Sequence, residues 1–291
     1  MSALVRSWLY VPGHHPERVA KALEAGADAV VIDLEDSVPA QRKAEARTAT
    51  RAVLASLAPR EQRPRVWVRI NPSHTANGEE DVAALSASPP DGVRVPRAEQ
   101  AGAIASVAEA LGCPLQLLVE TARGLMAAPE LASAHPHVAG VGLGEADLAA
   151  DLRVGASSGL DWARGWVVAV SRAAGLPSPV QSVYTDVADL AGLRSSTIAG
   201  RAQGFFGRSM VHPRQIASVH DVYRPTADDT ARARELVAAL ESAAKRGDAA
   251  VLTDDGRFVD PAVVAQAQLV LELASLDSST STAEIRTEEN R

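Results

Sequence analysis

Two carboxylates in this chain follow short apolar runs closely enough to serve one metal ion. Glu120 ends the run 115–119 (LQLLV), and Asp147 follows the run 138–143 (VAGVGL) within Gly144-Glu145-Ala146-Asp147. Apolar runs of this length, joined by a helical span, read as consecutive strands of a βαβ unit in a parallel sheet, buried on both faces. Parallel strands finish at one edge, and two carboxylates there can share a hard divalent cation whose shell is completed by substrate oxygens and water. The competing reading is a helix cap or a solvated loop acid. For Glu120 a cap is not required, because Thr121 can cap the next helix; for the second acid, spacing does not choose between Glu145 and Asp147.

Other residues belong to the same edge. The run from Ala29 turns acidic as Asp33-Leu34-Glu35-Asp36, which places Asp33 and Glu35 on one strand face; the bland alternative for Asp36 is a cap on the following helix. Arg69 closes a run of apolar residues before Asn71-Pro72. Arginine is rarely buried without a partner, so an acid or an anion must face it.

The elements that carry these residues repeat with a regular rhythm. Eight strands are expected, starting near Arg6, Ala29, Arg65, Gly92, Leu115, Val138, Pro179 and Gly204, each followed by a helix. That rhythm predicts an α/β fold, a (β/α)8 TIM barrel, whose active site lies at the C-terminal strand ends where Glu35, Arg69, Glu120 and Asp147 all fall. A doubly wound sheet is the alternative, but no GxGxxG opens a helix after the first strand. A P-loop, a GxSxG elbow and an HExxH pair are also missing from the sequence. Beyond the barrel, a helix over 228–246, a hairpin around Asp255-Gly256 and a helix from Pro261 to about Leu273 form a C-terminal helix-hairpin-helix extension. The expected division is a barrel over 1–225, the extension over 226–276, and an unstructured Ser/Thr/Glu-rich tail over 277–291.

Composition narrows the functional classes. The 291 residues are 46% hydrophobic and 22% charged, enough for one barrel-sized core; aromatics are only 3%, so Ala, Val and Leu supply most of the packing. A net charge of −7 argues against nucleic acid as the main partner. The single cysteine, Cys113, excludes an internal disulfide and fits a reducing compartment. With no membrane-spanning run and no signal-like N-terminal segment, a cytoplasmic location and no membrane partner are expected.

Six motifs together resemble a known family over nearly the whole chain, to about Ala274. They are Trp8-Leu9-Tyr10-Val11-Pro12-Gly13, Ile32-Asp33-Leu34-Glu35-Asp36-Ser37-Val38, Val68-Arg69-Ile70-Asn71-Pro72, Val119-Glu120-Thr121-Ala122-Arg123-Gly124, Gly144-Glu145-Ala146-Asp147-Leu148 and Val211-His212-Pro213. In this order they resemble the citrate lyase beta-subunit-like branch of the HpcH/HpaI aldolase family. The resemblance implies a Mg2+-dependent barrel that makes or breaks a carbon-carbon bond beside a thioester of the malyl-CoA, citramalyl-CoA or citryl type. It implies Glu120 and Asp147 as metal ligands and Arg69 as a substrate contact. Pro12, Gly13 and Arg18, with Arg69 and Glu120, are the candidate substrate-binding residues. Three places depart from the family pattern: Arg97 replaces a common lysine, Gly144-Glu145-Ala146-Asp147 inverts the middle pair of Gly-Ala-Glu-Asp, and Phe206-Gly207-Arg208 replaces Asp-Gly-Lys.

The implied chemistry is cleavage of a 3-hydroxyacyl thioester to a 2-oxo acid and an acyl-CoA through an enolate. Arg69 is the oxyanion donor, and Glu35 or Asp36 orients it or a metal-bound water. A separate acid must protonate the enolate. The resemblance points to Asp260 in the C-terminal lid, acting in a neighbouring subunit of a homo-oligomer, a trimer or hexamer; a cap on the final helix is its bland reading. Two alternative activities use much the same site: an acyl-CoA thioesterase and an aldolase acting on free 2-oxo acids.

Overall fold

The computed structural model describes residues 4–253 and 256–288. The chain divides into two compact units, one spanning Val5–Val222 and the other built by the chain from Tyr223 onward with Leu4.

In the first unit seven strands run parallel: β1 (Ser7–Pro12), β2 (Ala29–Asp33), β3 (Arg65–Arg69), β4 (Gly92–Val95), β5 (Leu115–Val119), β6 (Val138–Leu143) and β7 (Arg208–Met210). Their order in the sheet is β6-β5-β4-β3-β2-β1-β7. Between them lie α1 (Pro16–Leu23), α2 (Lys43–Ala55), α3 (Ala76–Ser86), α4 (Ala101–Leu111), α5 (Ala122–Ala132), α6 (Glu145–Leu152), α7 (Asp161–Ala173) and α8 (Leu190–Ala202), with α9 (Ile216–Tyr223) after β7. Every residue of β2 is buried, as a strand covered on both faces requires. Helix boundaries follow local chemistry: Pro16 opens α1, the Thr75 and Thr121 hydroxyls cap α3 and α5, and Gly112 closes α4 in the left-handed region at φ 59°.

The expected seventh and eighth strands differ from the observed ones. Residues 179–183 form only an isolated bridge, Gln181 to Arg208, rather than a strand. This segment nevertheless touches both edges of the sheet. The Gln181 amide donates to the Gly207 carbonyl at 3.0 Å beside β7, and the Ser182 hydroxyl donates to the Leu143 carbonyl at 2.7 Å on β6. The sheet therefore curls on itself, with a side chain making the last closing contact in place of a ladder. Residues 204–207 are not the eighth strand either. Gly204 and Gly207 have φ of 101° and 79°, which breaks an extended run, and the strand begins afterwards, at Arg208.

Strand β2 also stops earlier than its acidic extension suggested. Asp33 turns its carboxylate back on the chain, accepting from the amides of Glu35 and Ser37 at 3.0 Å each and from the Ser37 hydroxyl at 2.5 Å. This Asx-type turn takes Glu35 and Asp36 off the strand. Nor does Asp36 cap α2, which begins seven residues later, at Lys43, behind Arg42 with no side-chain cap.

At the base of the sheet Val5, Trp8, Ala29, Val31 and Trp67 form a core cluster, with Tyr10 and Val180 packed against it; the Trp8 and Trp67 rings meet edge to face at 5.3 Å. Burial of a valine in this cluster contributes about 1.5 kcal/mol or more.

The second unit contains α10 (Ala227–Lys245), a short antiparallel pair β8 (Val251–Leu252) and β9 (Phe258–Val259), and α11 (Pro261–Glu288). A reciprocal Thr226–Asp229 capping box opens α10. Asp255, placed at the hairpin tip from the sequence, lies outside the described residues, while Gly256 has φ 79°. Helix α11 runs on to Glu288, past Leu273 and through most of the stretch expected to lack regular structure. Among the described residues no helix is long and apolar enough to cross a membrane.

Candidate active site

The C-terminal strand edge gathers the predicted acids around two centres. The first is Arg69, at the end of β3. In the parallel register Asp33 lies directly beside it, and the pair is bidentate: Arg69 Nε donates to Asp33 Oδ1 at 2.7 Å and Nη2 to Oδ2 at 2.8 Å. Nη1 donates to Asp36 at 3.1 Å. Glu35 Oε2 lies 2.8 Å from the same nitrogen but outside hydrogen-bond geometry, so this contact is ionic. The Arg69 guanidinium carbon lies 5.1 Å from the centre of the Tyr10 ring. Burial alone would lower the Arg69 pKa, but its bonds to Asp33 raise it. Asp33 shows the converse: burial works to raise its pKa, and Arg69 holds it below the ordinary value.

The turn that carries Glu35 and Asp36 is clamped from below. The Lys43 ammonium on α2 donates to the Leu34 and Glu35 carbonyls and to Asn71 Oδ1, each at 2.7 Å. Asn71 is tied in turn to the Leu34 carbonyl and to Asp81.

The second centre is Glu120, at the end of β5. Its side chain is buried, 4% exposed, and among the described residues no cation forms an ion pair with it. Burial pushes its carboxyl up to about 7, Asp147 pushes in the same direction, and Arg69 opposes both. Gly144 makes room for Glu120, because a Cβ at that position would collide with the glutamate side chain. Asp147 is exposed in the first turn of α6. The choice between the two acids of that turn is visible here: Glu145 accepts from Nε and Nη2 of Arg164, at 3.2 and 2.5 Å, whereas Asp147 faces Glu120 with no such partner among the described residues. Glu35 belongs to both centres. Burial raises its carboxyl to about 8, with Arg69 lowering it and Asp36, Glu120 and Asp33 adding to the rise.

No group of three or more His, Cys, Asp or Glu side chains with metal-holding geometry occurs among the described residues. A divalent ion would therefore rest on two carboxylates, with exogenous oxygens filling the other positions. A buried glutamate with no paired cation, next to a second free carboxylate, fits such an ion.

The remaining predicted residues are more scattered. Pro12 ends β1 beside Asp33, and the Gly13 amide donates to the Asp33 carbonyl at 2.8 Å, with no space left for a side chain. Both therefore support Asp33. Arg18 is exposed on α1, and none of the described ion pairs joins it to the acids. In the second unit Asp260 accepts from the Val263 amide at 2.9 Å at the start of α11, a cap geometry. The sequence pattern had left Asp33 without a role. The signal for it was available, since Asp33 and Arg69 are both fifth in five-residue strands paired in parallel.

Residues 6–213 match the family described as HpcH/HpaI aldolase/citrate lyase, and the chain belongs to that family of enzymes. A (3S)-malyl-CoA thioesterase of Cereibacter sphaeroides is 34% identical over 277 residues, covering 92% of this chain and 94% of the relative. A citrate lyase subunit beta-like protein of Deinococcus radiodurans is 35% identical, covering 92% and 97%. Among solved structures, protein CitE from Mycobacterium tuberculosis in complex with magnesium, acetoacetate and coenzyme A superposes with a TM-score of 0.77 at 33% identity, over 94% of this chain and 99% of that one.

Proposed function

We propose that this enzyme cleaves a 3-hydroxyacyl-CoA thioester of the malyl, citramalyl or citryl type into a 2-oxo acid and an acyl-CoA. One observation carries this reading: a buried, unpaired Glu120 beside a free Asp147, next to an arginine whose fork is already fixed by acids. Glu120 and Asp147 would hold Mg2+, which when bound would supply a Lewis acid for the substrate. Arg69 has five N–H donors, of which three donate to Asp33 and Asp36. The other two are directed at the oxyanion. When the carbon-carbon bond breaks, its electron pair moves onto the thioester as an enolate, and the hydroxyl proton leaves to the carboxylate cluster. Glu35 and Asp36 keep Arg69 oriented through this step.

The enolate then takes a proton at carbon. Asp260 is the proposed donor, acting from a neighbouring subunit in a homo-oligomer, trimeric or hexameric. Loss of one pre-aimed oxyanion donor costs about 10²–10³ in turnover, so R69K should fall by that order.

A second reading has a specific observation in its favour, the 34% identity to a (3S)-malyl-CoA thioesterase. In it the same metal and pocket direct water at the thioester carbonyl. A panel of acyl-CoA and free-acid substrates, assayed with magnesium or EDTA and read by mass spectrometry, separates the activities. A 2-oxo acid with acyl-CoA supports the lyase, and free CoA with a hydroxy acid supports the thioesterase. Turnover of free 2-oxo acids alone would make it an aldolase. Full activity in EDTA would overturn the metal assignment.

A further inference from the structure

Beneath Arg69 lies a second arginine that the proposed chemistry does not use. Arg94, in the middle of β4, is 2% exposed, and the β3–β4 register places it directly beside Arg69. Like charges opposite one another on neighbouring strands are unfavourable, and a buried cation without an ion pair is costly. Arg69 is neutralised by Asp33 and Asp36; Arg94 has no carboxylate partner among the described residues. It is held instead by neutral groups. Nε donates to Gln116 at 2.9 Å, and Nη1 donates to the Tyr10 hydroxyl at 2.7 Å and to Ser209 at 2.9 Å. Its guanidinium lies 4.5 Å from the Trp8 ring, while Nη2 is buried with no hydrogen-bond partner. A group so expensive for the fold calls for a use elsewhere.

Tyr10 supplies the connection. Its ring is flanked by both arginines, with the Arg69 carbon 5.1 Å and the Arg94 carbon 5.3 Å from its centre. Asp33 and Asp36 hold the Arg69 fork by its edges, about which the guanidinium can still tip. The face of Tyr10 limits that tipping, and the Arg94 bond to its hydroxyl stops the ring from swinging away. We propose that Arg94 and Tyr10 are positioning residues, a prop running from the sheet interior that sets the height and tilt of Arg69 for an anionic substrate group. The proposal rests on the reading of Arg69 as the substrate contact.

Pyruvate binding at saturating magnesium, measured by calorimetry, tests it without requiring the natural substrate. Y10L removes the ring and should weaken pyruvate by about tenfold, the scale of a desolvated cation–π contact, with magnesium affinity unchanged. Y10F keeps the ring but loses the tether, and R94Q loses it from the other side, so both should show a smaller loss of the same kind. If Y10L does not fold, Y10F decides. R69K should also weaken pyruvate, and R69K in a Y10L background should add little more, because both act on one guanidinium. A purely structural role would lower melting temperature without separating pyruvate from magnesium affinity and without this coupling. Normal pyruvate binding by Y10L and Y10F while R69K is impaired would overturn the prop alone. Normal binding by R69K would instead remove Arg69 as the contact, and the prop with it.

Discussion

The two halves of the site use the same residue type in opposite ways. On the β2–β3 side Asp33 and Asp36 accept from Arg69, so their charge is matched inside the protein, while Glu35 beside them is raised by burial to about 8. On the β5–β6 side Glu120 is also buried, yet among the described residues no cation forms an ion pair with it, and Gly144 makes room for its side chain. Asp33 is pulled below its ordinary pKa and Glu120 is pushed up to about 7. Burial acts on both in the same direction. What separates them is the presence of a fixed cation on one side, so the other side is where an external cation belongs.

The largest effect should come from breaking the internal pair. Asp33→Ala leaves Arg69 buried with one edge of its fork unmatched, and should cost about 3–5 kcal/mol of stability in chemical denaturation. Glu120→Gln should do the reverse in metal-free protein, leaving stability unchanged or raised, because it removes a buried charge for which Arg69 and the Arg97 amide compensate only in part. The same substitution should abolish most magnesium affinity by calorimetry. If both variants lose stability equally without metal, the two halves are not electrostatically different.

Much of this contrast could be read in the sequence, and the exceptions share a cause. Apolar runs that end in Glu120 and Arg69 mark strand ends, because only the edge of a buried sheet tolerates those groups. The need for an acid opposite Arg69 was legible in the same way. Its identity was not, because it depends on the β2–β3 register, and Asp33 looked like one acid among three. The last strands were misplaced for a related reason: Gly204 and Gly207 adopt positive φ, and the segment around Gln181 is held by one bridge and a serine hydroxyl, neither of which leaves a periodic pattern. The burial of Arg94 was equally hidden, since an arginine between two valines reads as a solvated position until the neighbouring strands enclose it.

A smaller effect concerns Asp260, which belongs to neither half. It caps α11, so Asp260→Ala should cost about 1 kcal/mol of stability. Asn caps about as well as Asp, and Asp260→Asn should therefore leave the melting temperature in place. If Asp260 is the proton donor, turnover in Asp260→Asn should nevertheless collapse. Co-assembly with Glu120→Gln should then restore part of it, since some sites would combine an intact Glu120 with an intact Asp260. Normal turnover in Asp260→Asn would reduce the residue to its cap.

The last effect is a pH dependence that is steepest without metal. Glu120 and Glu35 have folded-state values raised to about 7 and about 8, above the ordinary 4.5. A group raised in this way favours the folded state while it is protonated. Its contribution is complete below the unfolded value and is lost as pH rises through the folded one. Asp33 has the opposite sign, and its contribution is lost only in acid, as pH falls through its lowered value. In EDTA, stability should therefore decline between about pH 5 and pH 8, by a few kcal/mol for the pair after allowance for their mutual coupling. Saturating magnesium should flatten the Glu120 part of this slope, because the ion binds the ionised carboxylate and replaces the missing partner. Glu120→Gln should flatten the same part without any metal. Thermal melts from pH 5 to 9, with EDTA or magnesium, read all three cases directly. A wild-type curve in EDTA that stays flat across this window would mean that Glu120 is already compensated within the protein, and the contrast between the two halves would be lost.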